Sequence, residues 1–285
     1  MEQSNLITVA LPYCQNPDYL RQALLSIFRQ SMLPAEVVVV DNSTQGDITT
    51  LFADSPIPIR HVRSAAGAGL AAYFNQCLDA AKTPWCTVMH ADDIMLPGYI
   101  EAMDAAARLH PEASGIFCKT DNIDEAGEEI FYFKDRYKNL LWLGQGSEYI
   151  LCGAKGLKAI LRSNFIMCPT MCYHVGLQRF SPEWKLALDL EFNGRLLLED
   201  GTLIGLNRIL YSYRRHLAAA SMVNNKELEM LIEAKACVKH LTLEASRRNW
   251  RCYSLAGRVV HMLHVTLNLF SRPKLIFSRS FWLAF

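Results

Sequence analysis

No run in this sequence reaches the ~18 uncharged apolar residues that a membrane-spanning helix needs. Charge of one sign is not in excess either. Lys and Arg number 29 against 28 Asp and Glu, and a net charge of +1 gives no reason to expect nucleic acid as a partner. The turn after the first apolar run, Pro12-Tyr-Cys-Gln-Asn16, contains no glycine and no basic residue. That argues against the glycine-rich phosphate loop of a nucleotidyltransferase. Residues 1–5 lack the charged-then-apolar pattern of a signal peptide. The nine cysteines are odd in number and without paired spacing, so free thiols in a reducing cytosol are expected. Cys168, Cys172 and His174 cluster, but Cys-x3-Cys-x-His is a poor zinc signature.

What is present is a 285-residue chain, 51% hydrophobic, long enough for one large domain or two small ones. Its first hundred residues alternate strand and helix. An apolar run over 6–11 reads as a buried strand. Asn16 caps a helix with Pro17 at its first position. Leu20, Ala23, Leu24, Ile27 and Phe28 then recur on one helical face. The run Glu36-Val-Val-Val-Val40 is that of a strand buried on both faces. Further strands are predicted over 59–62 and 85–89, and helices over 69–81 and from Pro97 to about Leu109. Such alternation implies an α/β fold, a mostly parallel sheet flanked by helices. Beyond it we predict strands within 114–132 around a turn at 124–127, and a helix over 147–161. A second helix over 189–198 and two short strands at 202–206 and 209–213 follow. A helical C-terminal extension begins after Asn225, with Leu228, Leu231, Ile232, Val238 and Leu241 on one face.

In open parallel sheets, ligands bind beyond the carboxyl ends of the strands. Three strand ends carry polar clusters here: Pro12-Tyr-Cys-Gln-Asn16, Asp41-Asn-Ser-Thr44 and His90-Ala-Asp-Asp93. Each alone reads equally as a turn or a cap. Together they point to a site, and the adjacent carboxylates of Asp92 and Asp93 call for a cation. Magnesium or manganese on a diphosphate supplies one.

These residues resemble the family 2 glycosyltransferases of GT-A fold. Ile7-Thr-Val-Ala-Leu-Pro12 with Asn16-Pro-Asp-Tyr-Leu20 resembles the family's entry strand and first helix. Residues 37–44 resemble the strand ending in a base-contacting aspartate, here Asp41. Gly69-Leu-Ala-Ala-Tyr-Phe-Asn75 is similar to its Gly-Leu-Ala-x-Ala-Arg-Asn helix, and Val88-Met-His-Ala-Asp-Asp93 to its DxD segment. Leu188-Asp-Leu-Glu-Phe192 resembles the stretch holding the catalytic base. Tyr211-Ser-Tyr-Arg-Arg-His216, with Ser221, matches the closing Tyr-Arg-x-His segment. The sequence departs from the family at Cys14-Gln15, at Phe74 in place of Arg, and at His90 in place of the first DxD aspartate.

The resemblance implies transfer of a sugar, with inversion, from a nucleotide-diphosphate sugar (a UDP-sugar is favoured) to a glycan or lipid-linked acceptor. The setting it implies is bacterial surface-polysaccharide synthesis. Pro12, Cys14, Asp41, Asn75, His90, Ala91 and Asp92 would bind the nucleotide, and Arg214 and His216 the diphosphate. Mn2+ or Mg2+ would sit at Asp92, Asp93 and His216. Asp189 would be the base, with Glu191 as fallback. A nucleotidyltransferase and an inactive GT-A scaffold remain the alternatives, His90 and Gln15 being the arguments for the latter.

The expected boundary lies near Met222. Residues 1–222 form the catalytic domain (about 1–112 for the nucleotide-sugar, 113–222 for the acceptor), and 223–285 the extension. From Lys235 onward nine Lys or Arg face one acid, Glu244, a net +8 that leaves −7 for residues 1–234. With the apolar stretch over 259–270 and Phe277, Phe281, Trp282 and Phe285 at the end, this tail reads as a peripheral anchor on an anionic membrane surface. A core helix packed on the catalytic domain is the other reading. The expected location is the cytoplasm, at the inner face of the membrane.

Overall fold

Strand β1 (Ile7–Tyr13) lies between β2 (Glu36–Asp41) and β4 (Trp85–Val88), parallel to both, and β3 (Ile59–Arg63) adds in parallel outside β2. This is a computed structural model, and it describes residues 5–44, 47–52, 55–64, 69–131, 146–216 and 226–252. Register in this half follows from side-chain alternation. Val9, Leu11, Val37 and Val39 pack on one face, against helices α1 (Pro17–Phe28) and α3 (Tyr99–Leu109). Ala10, Val38 and Val40 pack on the other, against α2 (Leu70–Ala80). As expected, Asn16 caps α1, its side chain accepting the Tyr19 amide at 3.2 Å, with Pro17 next.

The sheet continues as β3-β2-β1-β4-β8-β6-β9-β5, with β7 also on β9. Here β5 is Ile94–Met95, β6 Gly115–Ile123, β7 Glu148–Cys152, β8 Cys172–His174 and β9 Thr202–Arg214. Only β6 and β9 pair in parallel in this half. The β4–β8, β6–β8, β5–β9 and β7–β9 pairs are antiparallel. The sheet is therefore parallel where helices link its strands and mixed beyond β4.

Two local expectations are corrected. The helix expected over 147–161 begins only at Gly153: residues 148–152 are β7, and α4 is Gly153–Arg162. Gly153 makes the switch at φ +52°, a region open to glycine at little steric cost. The two short strands at 202–206 and 209–213 are one strand. A register irregularity against β6 near Lys119 absorbs the polar Asn207-Arg208 step that looked like a break.

Helix α5 (Leu188–Leu198) packs on α6 (Lys226–Arg247). Leu231, Cys237, Leu241 and Ala245 of α6 are buried, the last three in the core that covers α2, α4 and α5. Gly194 permits this approach, because a Cβ there would meet the Leu241 side chain. Ser221, the expected boundary near Met222, and the basic and aromatic tail over 253–285 lie outside the described residues. Among the described residues no helix is long and apolar enough to cross a membrane. All nine cysteines are free.

Candidate active site

The carboxyl ends of β1, β2 and β4 open toward one edge of the sheet, and the loop after β4 carries His90, Asp92 and Asp93. The Met89 amide still bonds to the Ala10 carbonyl of β1 at 2.9 Å, so the loop leaves the sheet at His90. β5 then pairs with β9, with Ile94 opposite Ser212, which brings the closing segment Tyr211–His216 alongside the aspartates.

Two adjacent carboxyls have opposite fates here. The Asp92 carboxylate accepts a hydrogen bond from His216 Nε2 at 2.8 Å. Burial alone would raise its pKa, but the His216 bond and the nearby His90 and His216 rings outweigh that and hold it below the ordinary value. Asp93 is fully buried. It accepts the Arg214 amide at 2.8 Å and the Tyr211 hydroxyl at 3.2 Å. Burial, then the charge of Asp92, pushes its pKa well up. Asp93 therefore serves chiefly as an anchor for the end of β9, and Asp92 is the carboxylate presented to a ligand.

Arg214, expected at the diphosphate, bonds protein groups on every side. It is 1% exposed. Its Nε donates to the Asp92 carbonyl at 2.6 Å, Nη1 to the Asp124 and Glu125 carbonyls at 3.1 Å each, and Nη2 to Gln22 Oε1 at 2.8 Å. The guanidinium also lies 4.7 Å from the Tyr19 ring centroid, and Tyr19 in turn stands 5.3 Å from the His216 ring. With its donors spent on protein groups, Arg214 ties the DxD-like loop to β9 and α1 and leaves His216 as the member of the pair at the ligand side.

His90 sits beside this pair. Its ring packs against Phe74 at 5.8 Å, so the two largest departures from the family pattern touch each other. Burial lowers its pKa, opposed by the charges of Asp92 and Asp189, and favours a neutral imidazole. Nδ1 lies 3.7 Å from Asp93, and Nε2 is buried with no partner. One ligand atom from each of His90, Asp92 and Asp93 lies within 4.8 Å of the others, the one such group among the described residues. Carboxylate and imidazole donors fit a divalent ion such as Mn2+ or Mg2+.

Asp189 occupies the first turn of α5, and Asn164 Nδ2 donates to its Oδ2 at 3.2 Å. Its charge reaches His90, which places it on the side of the site that holds the aspartates. Glu191 is buried and bound twice by Arg195, at 2.7 and 3.2 Å, one turn along the same helix. The fallback base is thus a structural ion pair. The entry to α5 is held from outside. Glu233 of α6 accepts the amides of Lys185, Leu186 and Ala187 at 2.5, 3.0 and 3.3 Å.

Among the expected nucleotide contacts, Pro12 and Cys14 stand at the end of β1. Cys14 is exposed and near enough to Asp92 for that charge to act on its thiol, and Ala91 lies between His90 and Asp92. Two others turn inward. Asn75 uses its amide on the Phe180 backbone, donating to the carbonyl at 2.9 Å and accepting the amide at 2.8 Å. Asp41 is fully buried. It accepts the Ser43 amide at 2.8 Å, His61 at 2.9 Å and Arg63 at 2.5 Å. Burial would raise its pKa, yet these hydrogen bonds bring it below the ordinary value. The groups left facing outward there are His61 and the half-exposed Arg63. No sequence motif signalled Asn164 or Glu233.

Known proteins share the sequence and the fold in part. The family model described as Glycosyl transferase family 2 matches residues 8–172. Glycosyltransferase GlyA of Streptococcus pneumoniae is 26% identical over 256 residues, covering 84% of this chain and 35% of GlyA. Uncharacterized protein MT1568 of Mycobacterium tuberculosis is 31% identical over 99 residues, 34% of this chain and 31% of that protein. The chain thus spans about a third of the length of these two curated relatives. S. aureus TarS 1-349, in a structure with UDP-GlcNAc, superposes with a TM-score of 0.60 at 16% identity, covering 84% of this chain and 70% of that one. At that identity the likeness is one of fold, the GT-A fold. Asp189 and the closing segment fall beyond the matched span.

Proposed function

Because the chain belongs to glycosyl transferase family 2, we propose that it transfers a sugar from a nucleotide-diphosphate sugar to a hydroxyl of a glycan or lipid-linked acceptor, with inversion at the anomeric carbon. The observation that carries this reading is the cluster of His90, Asp92 and Asp93 ligand atoms within 4.8 Å of one another after β4, with His216 2.8 Å from Asp92. A UDP-sugar is the favoured donor, since the TarS structures of the same fold hold UDP-GlcNAc and UDP.

In this mechanism Asp189 accepts the proton of the acceptor hydroxyl as its oxygen attacks the anomeric carbon. The bond from that carbon to the diphosphate oxygen breaks on the opposite face, and a single displacement inverts the centre. Asp92 and His216 would hold Mn2+ or Mg2+, which would offset the charge growing on the departing diphosphate. Neutral His90 offers a hydrogen bond to the donor, and Arg214 keeps the Asp92 backbone in place. Bacterial surface-polysaccharide synthesis at the inner face of the membrane is the setting we favour. The bacterial relatives and the basic, aromatic tail support it.

A screen of nucleotide-diphosphate sugars with and without Mn2+, followed by release of nucleoside diphosphate, tests the reading. Asp189→Asn is expected to bind donor as the wild type does and to lose transfer by on the order of 100-fold or more. Wild-type turnover in that variant would remove Asp189 from the mechanism. If no donor binds and none is hydrolysed, the chain is instead an inactive scaffold, a reading that His90 at the DxD position favours.

A further inference from the structure

We propose that Asn164 is a positioning residue for Asp189; this rests on the reading of Asp189 as the base. Asn164 follows α4 in a loop whose next residues, Phe165 and Ile166, are buried in the core, so its backbone is pinned. Its Nδ2 donates to Asp189 Oδ2 at 3.2 Å across 25 residues of sequence. An ionised carboxylate can only accept, so the amide must present its N–H2 side, and the bond fixes the rotation of the carboxylate about Cβ–Cγ. The same loop runs on to β8, which pairs with β4, the strand that delivers His90 and Asp92. Further along it, the Cys168 thiol is raised by burial and then by the charges of both Asp189 and Asp93. The loop thus lies near both Asp189 and Asp93, and Asn164 is where it holds the base.

A base must meet the acceptor hydroxyl within about 3 Å, and small misplacements of a reacting group cost up to about 100-fold. Asn164→Ala is expected to lower kcat by roughly 10- to 100-fold with donor KM unchanged. Loss of a hydrogen bond to the charged form should also move the acid limb of the kcat–pH profile upward. Asn164→Ser, which keeps a shorter donor, should recover part of the rate. In the Asn164→Ala/Asp189→Asn double variant, kcat should fall no further than in Asp189→Asn alone. An unmoved acid limb, a loss confined to KM, or multiplicative losses in the double variant would overturn the proposal. Should the alanine variant fail to fold, Asn164→Asp keeps the side-chain shape, and the inference then requires that it move the limb still higher and lose transfer. If Asp189→Asn itself transfers normally, the base assignment fails first. If only the Asn164 variants behave as wild type, the base stands and this inference falls.

Discussion

The Asp92 carboxylate and His216 share a 2.8 Å hydrogen bond although 124 residues separate them. The bond joins the loop after β4 to the last residues described after β9. It holds the carboxylate charged and aimed while no cation competes for it. In the proposed mechanism the two side chains would act on a cation as a pair rather than independently.

Asp92 and Asp93 should therefore separate cleanly. Asp92→Asn is expected to abolish Mn2+-dependent nucleoside diphosphate binding by calorimetry with circular dichroism unchanged. Asp93→Asn should bind within about threefold of the wild type, since both Asp93 oxygens accept hydrogen bonds from β9 and burial pushes its pKa up. The pH dependence checks this. A carboxyl whose folded pKa is raised contributes stability below its unfolded value of about 3.9 and loses it as pH rises toward the folded value. Asp93→Asn should accordingly gain melting temperature relative to wild type from pH 4 to pH 7. Equal loss of binding in both variants would make Asp93 a ligand.

Glu191→Gln should injure the fold before the chemistry. It leaves the mostly buried Arg195 without its carboxylate, and breaking such a pair costs on the order of 2–4 kcal/mol. A clear fall in melting temperature with kcat within a few-fold of wild type is expected. A stable variant with wild-type melting and lost transfer would exchange the roles of Glu191 and Asp189.

Gly194→Ala should wedge α5 from α6 by forcing a methyl against Leu241. Overpacking of this kind costs roughly 1–3 kcal/mol. Adding Leu241→Ala makes room, so the double variant should be less destabilised than the sum of the two singles. Strict additivity by denaturant titration would contradict the contact.

Full-length protein should co-sediment with anionic vesicles. Binding should weaken but persist as salt rises, because the cationic part is screened and the aromatic part is not. A chain ending at Cys252 should stay free of vesicles and still bind nucleotide. Equal sedimentation of both would end the membrane reading.

The parallel half of the sheet was legible because the continuous apolar runs of β1 and β2 and the period-3.6 spacing in α1 are short-range signals. The misread stretch at 147–152 was ambiguous for the same reason: five residues of mixed polarity before Gly153 fit either period, and only pairing with β9 decides. The site was legible as a set of motifs and less so as a set of roles. Asn75, Asp41 and Arg214 stand at motif positions, yet each spends its polar atoms on the protein, and spacing along a chain does not say which way a side chain turns. Asn164 and Glu233 carry no motif because their partners are distant residues rather than neighbours.

The Glu233 clasp on residues 185–187 has a practical corollary for dissecting this chain. The family match stops at residue 172, and the obvious place to cut lies near 222. The first cut would remove the base-bearing helix itself, and the second would leave three amides at its mouth without an acceptor and uncover the groove that Leu241 fills. The smallest portable cassette, whether for grafting onto a relative or for swapping acceptor halves between enzymes, accordingly runs to Cys252. Chimaeras joined earlier should express as insoluble protein, whatever donor residues they carry.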